Sequence, residues 1–153
     1  MEETFFSRLY EVTPSVEKYL ERIGYTGKAE PTLECLNALI SAHQRSVPYE
    51  NLDVGRYHLP ITLNIDHLYE KIVLNHRGGY CFENNTSFLS LLRGVGFDAR
   101  PCMCRIMVGV PGVVPQVSHR ASIITISPMP SSIRTRSPIS GPGPVASSWK
   151  TGR

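Results

Sequence analysis

Apolar residues recur at helical spacing through roughly the first hundred positions of this chain, and then at strand-like alternation. Thr13-Pro14 reads as an N-cap with a first-turn proline, after which Val16, Tyr19, Leu20 and Ile23 keep helical spacing until Gly24. Pro31-Thr32 opens a second helix whose stripe is Leu33, Leu36, Leu39 and Ile40, and the pattern stops before Pro48. Residues 57–65 read as extended, and Ile65 to Leu74 as a helix that delivers the chain to His76-Arg77-Gly78-Gly79. A further helix follows, with Phe88, Leu89, Leu91 and Leu92 on its buried face and Gly94 with Gly96 closing it. From Ala99 the signal turns to strands, best at Arg105 to Val110 and Ala121 to Ile126, joined by a Gly/Pro loop. Beyond Ile126 the pattern dissolves into seven serines, five prolines and three glycines. Such a segment buries too little apolar surface to offset its ordering entropy, so residues 127–153 are expected to be disordered.

The reading that results is an α+β protein in three pieces. Residues 1–97 form a helical domain, 98–126 a short β segment, and 127–153 a Ser/Pro/Arg tail. The chain's 153 residues suit one ordinary domain. The acidic start Met1-Glu2-Glu3 is unlike a signal peptide, and the apolar runs fall far short of the roughly 20 residues that cross a bilayer. A cytoplasmic protein with no membrane partner is expected. Charge divides the chain unevenly: residues 1–98 hold all 13 acidic residues and 9 of the 16 Lys and Arg, whereas residues 99–153 hold 7 basic residues and no acid. Those basic residues stand singly and no aromatic ladder accompanies them, which argues against nucleic acid as a partner. Four cysteines, Cys35, Cys81, Cys102 and Cys104, read as free thiols in an unsecreted chain. Cys102 and Cys104, two apart in a strand, share a face and read as packing residues; no Cys-x-x-Cys or His-rich cluster offers a metal enough ligands.

One thiol is placed for chemistry. In Arg77-Gly78-Gly79-Tyr80-Cys81-Phe82-Glu83-Asn84-Asn85, Cys81 follows a Gly-Gly turn and opens a helix. Helix N-termini carry partial positive charge and unpaired N–H groups, which stabilise a thiolate. The paired glycines are expected to give the backbone conformations that a side chain forbids. A cysteine nucleophile needs a base. His119, in a loop just before a strand, is the best candidate. His43 falls within a helix, where a hydrogen-bonded structural imidazole is the plainer reading. His58 and His67 lie in polar, surface-like contexts, and His76 is too close to Cys81 along the chain to face it across a cleft.

These residues resemble a known family. Arg77, Gly78, Gly79, Cys81, Glu83 and Asn85 fill the fixed positions of the Arg-Gly-Gly-x-Cys-x-Glu-x-Asn nucleophile motif of the arylamine N-acetyltransferases. Val47-Pro48-Tyr49-Glu50-Asn51-Leu52 is similar to the family's Val-Pro-Phe-Glu-Asn-Leu segment, and Gly109 to Arg120 is similar to the segment with its catalytic histidine, here His119. The resemblance runs to about Ile126. It implies an N-terminal helical bundle, then the first strands of an incomplete β-barrel around a cysteine-protease-like Cys/His core. It further implies two-step acyl transfer from acetyl-CoA, as donor substrate, through Cys81 to an arylamine, arylhydroxylamine or hydrazine, with His119 moving protons. Catalytic residues would be Cys81 and His119, with no metal; residues contacting CoA are not assignable. Arg77, Glu50, Glu83 and Asn85 read as structural supports.

The family's third member, an aspartate after the histidine, has no counterpart here, since no Asp or Glu follows Asp98. Arg134 and Arg136 stand near its expected place. Shifting one reading frame across Trp149-Lys150-Thr151-Gly152 restores acidic codons, so a frameshift, splice error or mispredicted exon is expected to have replaced the remainder of a longer enzyme. Two alternatives stand beside the enzyme: a catalytically inactive, truncated family member acting as a binding or regulatory fragment, and a cysteine hydrolase of the thiol-protease or transglutaminase kind. The papain-type context around the cysteine is absent.

Overall fold

The computed structural model describes residues 11–107, 112 and 114–126. Its elements in chain order are α1 (Val16–Arg22), α2 (Leu33–Ser46), the short α3 (Leu52–Gly55), α4 (Ile65–Leu68) running into a π-helical stretch (Tyr69–Leu74), α5 (Cys81–Val95), β1 (Asp98–Cys104) and β2 (His119–Thr125). The protein is α+β. The tail expected to be disordered, residues 127–153, lies outside the described residues, as do positions 108–110 of the expected first strand.

The helices begin where short polar side chains can cap them. Thr32 accepts from the Cys35 amide at the start of α2, and Asn64 accepts from the His67 amide at the start of α4; each satisfies one of the orphan N–H groups of a first turn. The first helix departs from expectation. Its cap is Ser15, which accepts from the Lys18 amide, and Thr13-Pro14 lies before it, where the Thr13 amide instead donates to the Ser90 carbonyl. Gly96 ends α5 in the left-handed conformation, φ 105°, which suits a residue without a Cβ; Gly94 is still inside the helix.

The apolar stripes meet in one core: Tyr19 and Ile23 from α1, Leu36 and Leu39 from α2, Ile72 and Val73 from the π stretch, and Leu89, Leu91 and Leu92 from α5. Leu33, at the first position of its helix, faces solvent instead. Apolar burial stabilises by about 25 cal/mol per Å², so this cluster is the main force holding the helices together. At its centre Tyr19 donates or accepts at Ser87 Oγ (2.9 Å) and His43 Nε2 (3.1 Å). His43 is thus a buried structural imidazole, stacked near Tyr19 and tilted against Phe88.

The strands form an antiparallel pair in register from Asp98 opposite Thr125 to Cys104 opposite His119. The first strand therefore lies at 98–104, and Arg105 to Met107 are in no strand. Pro101 does not prevent this because a two-stranded sheet leaves each strand an open edge, where the missing N–H costs no ladder bond. Directly paired residues share a face: at the start of β1 Ala99 and Ile124 turn toward the helical core, whereas past Pro101 Met103 is exposed and Cys102 and Cys104, on one face with Ala121 and His119, are half-buried. Residues 57–64, expected to be extended, form no strand, and α3 just before them has no counterpart in the sequence pattern.

Candidate active site

Cys81 is the first residue of α5, preceded by Tyr80 in extended conformation. The loop before it is held against the Val47–Leu52 segment by a parallel bridge between Tyr49 and Gly79. The Gly79 amide donates to the Pro48 carbonyl (3.3 Å), and the Glu50 amide donates to the Gly79 carbonyl (3.0 Å). This is why the glycines are there. Neither has a positive φ, so conformational freedom is not the reason; a Cβ on Gly78 would overlap the Pro48 carbonyl oxygen, and one on Gly79 would crowd Glu83 at 2.8 Å. Two backbones meet too closely for a side chain. Asn84 closes the same joint, donating to the carbonyls of Gly79 (2.9 Å) and Pro48 (3.2 Å).

Beneath the joint lies a buried ion network. Lys71, 5% exposed, reaches Asp53 Oδ2 at 2.6 Å and Glu83 Oε1 at 2.7 Å, with Glu50 Oε1 at 3.9 Å. Arg77 pairs with Glu50 Oε1 (2.8 Å) and Asp53 Oδ1 (2.7 Å). The second Glu83 oxygen accepts from the Tyr80 amide (3.1 Å), and Glu50 Oε2 accepts from the Leu52 amide (2.6 Å). Burial alone would raise the Asp53 carboxyl and lower the Lys71 ammonium; their mutual hydrogen bond and the partners Arg77 and Glu83 reverse both, holding Asp53 below the usual carboxylate range and Lys71 above its ordinary value. Arg77, Glu50 and Glu83 are thus structural supports. Lys71 and Asp53 are missing from the sequence reading. The one signal for Lys71 is a charged residue on the apolar face of Ile65, Leu68 and Ile72.

Around the sulfur, Asn85 Nδ2 donates to the Cys81 carbonyl at 2.8 Å, and the same side chain hydrogen-bonds the Tyr49 phenol. Burial and the neighbouring Cys81 push that phenol up, against the pull of Asn85. Cys81 Sγ approaches the Ser118 carbonyl at 3.9 Å. His119 is the next residue, at the start of β2, half-buried and opposite Cys104. The fold thus carries the two sequence candidates to one place: a helix N-terminus and the end of a hairpin that packs on it. No direct hydrogen bond joins Cys81 to His119 among the described contacts. His58, His67 and His76 are exposed, and burial near Arg22 lowers the His43 imidazole to about 3, so it stays neutral in the core. Among the described residues no three His, Cys, Asp or Glu are grouped to hold a metal, and no helix is long and apolar enough to cross a membrane.

Residues 32–129 match the family model described as N-acetyltransferase. The chain is 36% identical over 117 residues to an arylamine N-acetyltransferase of Escherichia coli, covering 75% of this chain and 41% of that one. Among solved structures it is similar to the arylamine N-acetyltransferase of Salmonella typhimurium, with a TM-score of 0.70 and 34% identity over 76% of this chain and 42% of that chain. It is likewise similar to the Mycobacterium marinum arylamine N-acetyltransferase in complex with CoA, with a TM-score of 0.69 and 32% identity over 74% and 42%. The chain therefore spans about two fifths of the length of these relatives.

Proposed function

The chain belongs to the arylamine N-acetyltransferase family, and from that premise we propose that it carries the nucleophile and the base of an acetyltransferase, Cys81 and His119. The observation that supports the reading most is the approach of Cys81 Sγ, at the N-terminus of α5, to the carbonyl of Ser118, the residue before His119.

In this reading the Cys81 sulfur, its proton taken by His119, attacks the thioester carbonyl of acetyl-CoA. The tetrahedral intermediate collapses, the C–S bond to CoA breaks, and the imidazolium returns its proton to the departing thiol. An arylamine, arylhydroxylamine or hydrazine then attacks the thioester on Cys81; His119 removes the amine proton and delivers it to Cys81 as that C–S bond breaks. Unpaired backbone N–H groups in the first turn of α5 are read as the oxyanion donors. The Lys71 network acts at one remove, because Glu83 grips the Tyr80 amide next to Cys81. The β1–β2 hairpin is read as the first strands of an incomplete barrel, and the protein as cytoplasmic.

A second reading has its own observation: none of residues 99–153 is Asp or Glu, where the resemblance expects an aspartate after the histidine. On that reading the chain is an inactive family member that binds or regulates. One experiment separates the two. The purified chain is incubated with acetyl-CoA and no amine and weighed by intact mass spectrometry. An added acetyl group, absent in Cys81→Ala, supports the transferase; a folded chain with no adduct refutes it.

A further inference from the structure

Three of the four cysteines lie on the first turn of α5 and on β1, the strand beside it, and acetyl transfer uses one. Cys81 Sγ lies 3.9 Å from the Ser118 carbonyl oxygen, and Cys104 Sγ lies 3.5 Å from the carbonyl oxygen of the next residue, His119. The two thiols thus address consecutive peptides of one short segment. That segment is fixed to Cys104 by the Ser118 amide, which donates to the Cys104 carbonyl at 3.3 Å, and by the Cys104–His119 strand pairing. Both sulfurs are half-buried at the surface of the fold and neither is in a disulfide. Cys102 shares the face but sits two residues farther along β1, roughly 7 Å away along the strand, and its sulfur turns to the Met103 carbonyl at 3.5 Å. Burial, Cys102 and Cys81 together push the Cys104 thiol up, which keeps it protonated at neutral pH.

We propose that Cys81 and Cys104 form a peroxide-driven disulfide, with Cys81 as the oxidised thiol and Cys104 as the resolving one. The Cys81 thiolate attacks a peroxide oxygen; the O–O bond breaks, an S–O bond forms, and the departing hydroxide takes a proton to leave as water. Cys104, giving up its proton, attacks the Cys81 sulfur; the S–O bond breaks, the S–S bond forms, and a second water leaves. Two thiols are oxidised by two electrons and one hydrogen peroxide is reduced to two waters. The bridge covers the sulfur and tethers β1 to the first turn of α5, and a thiol reductant reopens it. The proposal needs no acetyl transfer, so it stands or falls separately from the function above.

The test treats the full chain with hydrogen peroxide, blocks remaining thiols with N-ethylmaleimide under denaturing conditions, and counts adducts by mass. Four adducts before treatment should fall to two, return to four after dithiothreitol, and a tryptic peptide containing Cys81 should be joined to the one spanning Cys102 and Cys104. Cys102→Ser should keep the link. Cys104→Ser should lose it, and its Cys81 should pass to the sulfinic acid, which dithiothreitol does not reverse. A native chain whose Cys81 oxidises while Cys104 still takes the maleimide would overturn the proposal, as would a link that survives Cys104→Ser and vanishes in Cys102→Ser.

Discussion

Replacing Lys71 by methionine should unfasten the base of the nucleophile loop. The network holds three carboxylates, Glu50, Asp53 and Glu83, against two cations, Lys71 and Arg77. Methionine fills much of the lysine's volume but leaves Arg77 alone against all three. Glu83, 3% exposed, then keeps only the Tyr80 amide. Removing one partner of a buried ion pair costs about 3–5 kcal/mol. For a chain of this size each kcal/mol moves the midpoint by about 2–4 °C, so Tm should fall by roughly 6–20 °C. Thermal unfolding followed by circular dichroism on the native chain, Lys71→Met and Lys71→Met/Glu83→Gln checks it, and the double variant should recover at least half of the loss because the stranded charge is gone. The effect has a pH window. The Lys71 value is raised on folding, so its contribution is present below the ordinary lysine value and is lost as pH climbs through the raised one. Asp53 is lowered, so its contribution is present above the ordinary aspartate value and is lost as pH falls through the lowered one. The single variant and the native chain should differ most between those limits. A single variant melting within about 2 °C of the native chain, as expected for an exposed pair, would refute the network's role.

Gly78→Ala should cost about 1–3 kcal/mol or more, since backbone at Pro48 cannot yield as a side chain would; a urea midpoint equal to that of the native chain would contradict the close approach. His43, lowered to about 3 by burial and Arg22, is protonated in the unfolded chain first, so stability should drop as pH falls below its ordinary value, by about 2 kcal/mol between pH 7 and pH 5 from this residue. The same titration on His43→Gln should lack that increment. Tyr19→Phe strips the shared hydroxyl from both His43 and Ser87 and should lower stability by about 1–3 kcal/mol, read as a shifted denaturant midpoint with unchanged slope. Iodoacetamide should label Cys81, at the N-terminus of α5, faster than Cys102 on β1; equal rates would favour the inactive reading.

Local features are the ones legible in the sequence. Helices α2 and α5 announce themselves because Thr32 caps one, Gly96 ends the other, and their apolar spacing repeats within a few residues. The strand signal is best at Arg105 to Val110 because Ile106, Val108 and Val110 alternate cleanly, whereas β1 lies at Asp98–Cys104; only the pairing with β2, some twenty residues away, decides the register. Cys81 and His119 are legible because both sit in short motifs. Lys71 and Asp53 are not, because an ion network joining four segments leaves no periodic trace in any one of them. The glycine pair stands out for a partly mistaken reason: its motif points to a turn, whereas its role is to let two backbones touch.

The π stretch from Tyr69 to Leu74 gives the network a dependence on chain length as well as on chemistry. A π turn accommodates one more residue than the α turn it interrupts. Deleting one residue within Tyr69–Leu74 would let the helix return to ordinary winding and absorb the loss. Arg77 lies beyond the stretch, in the loop after it, so the two cations reach Asp53 from a helix and from a loop. Deleting one residue between Asn75 and Arg77 has no such buffer: it shortens the loop by up to about 3.6 Å and would draw the guanidinium off Asp53 even if every charged side chain were kept.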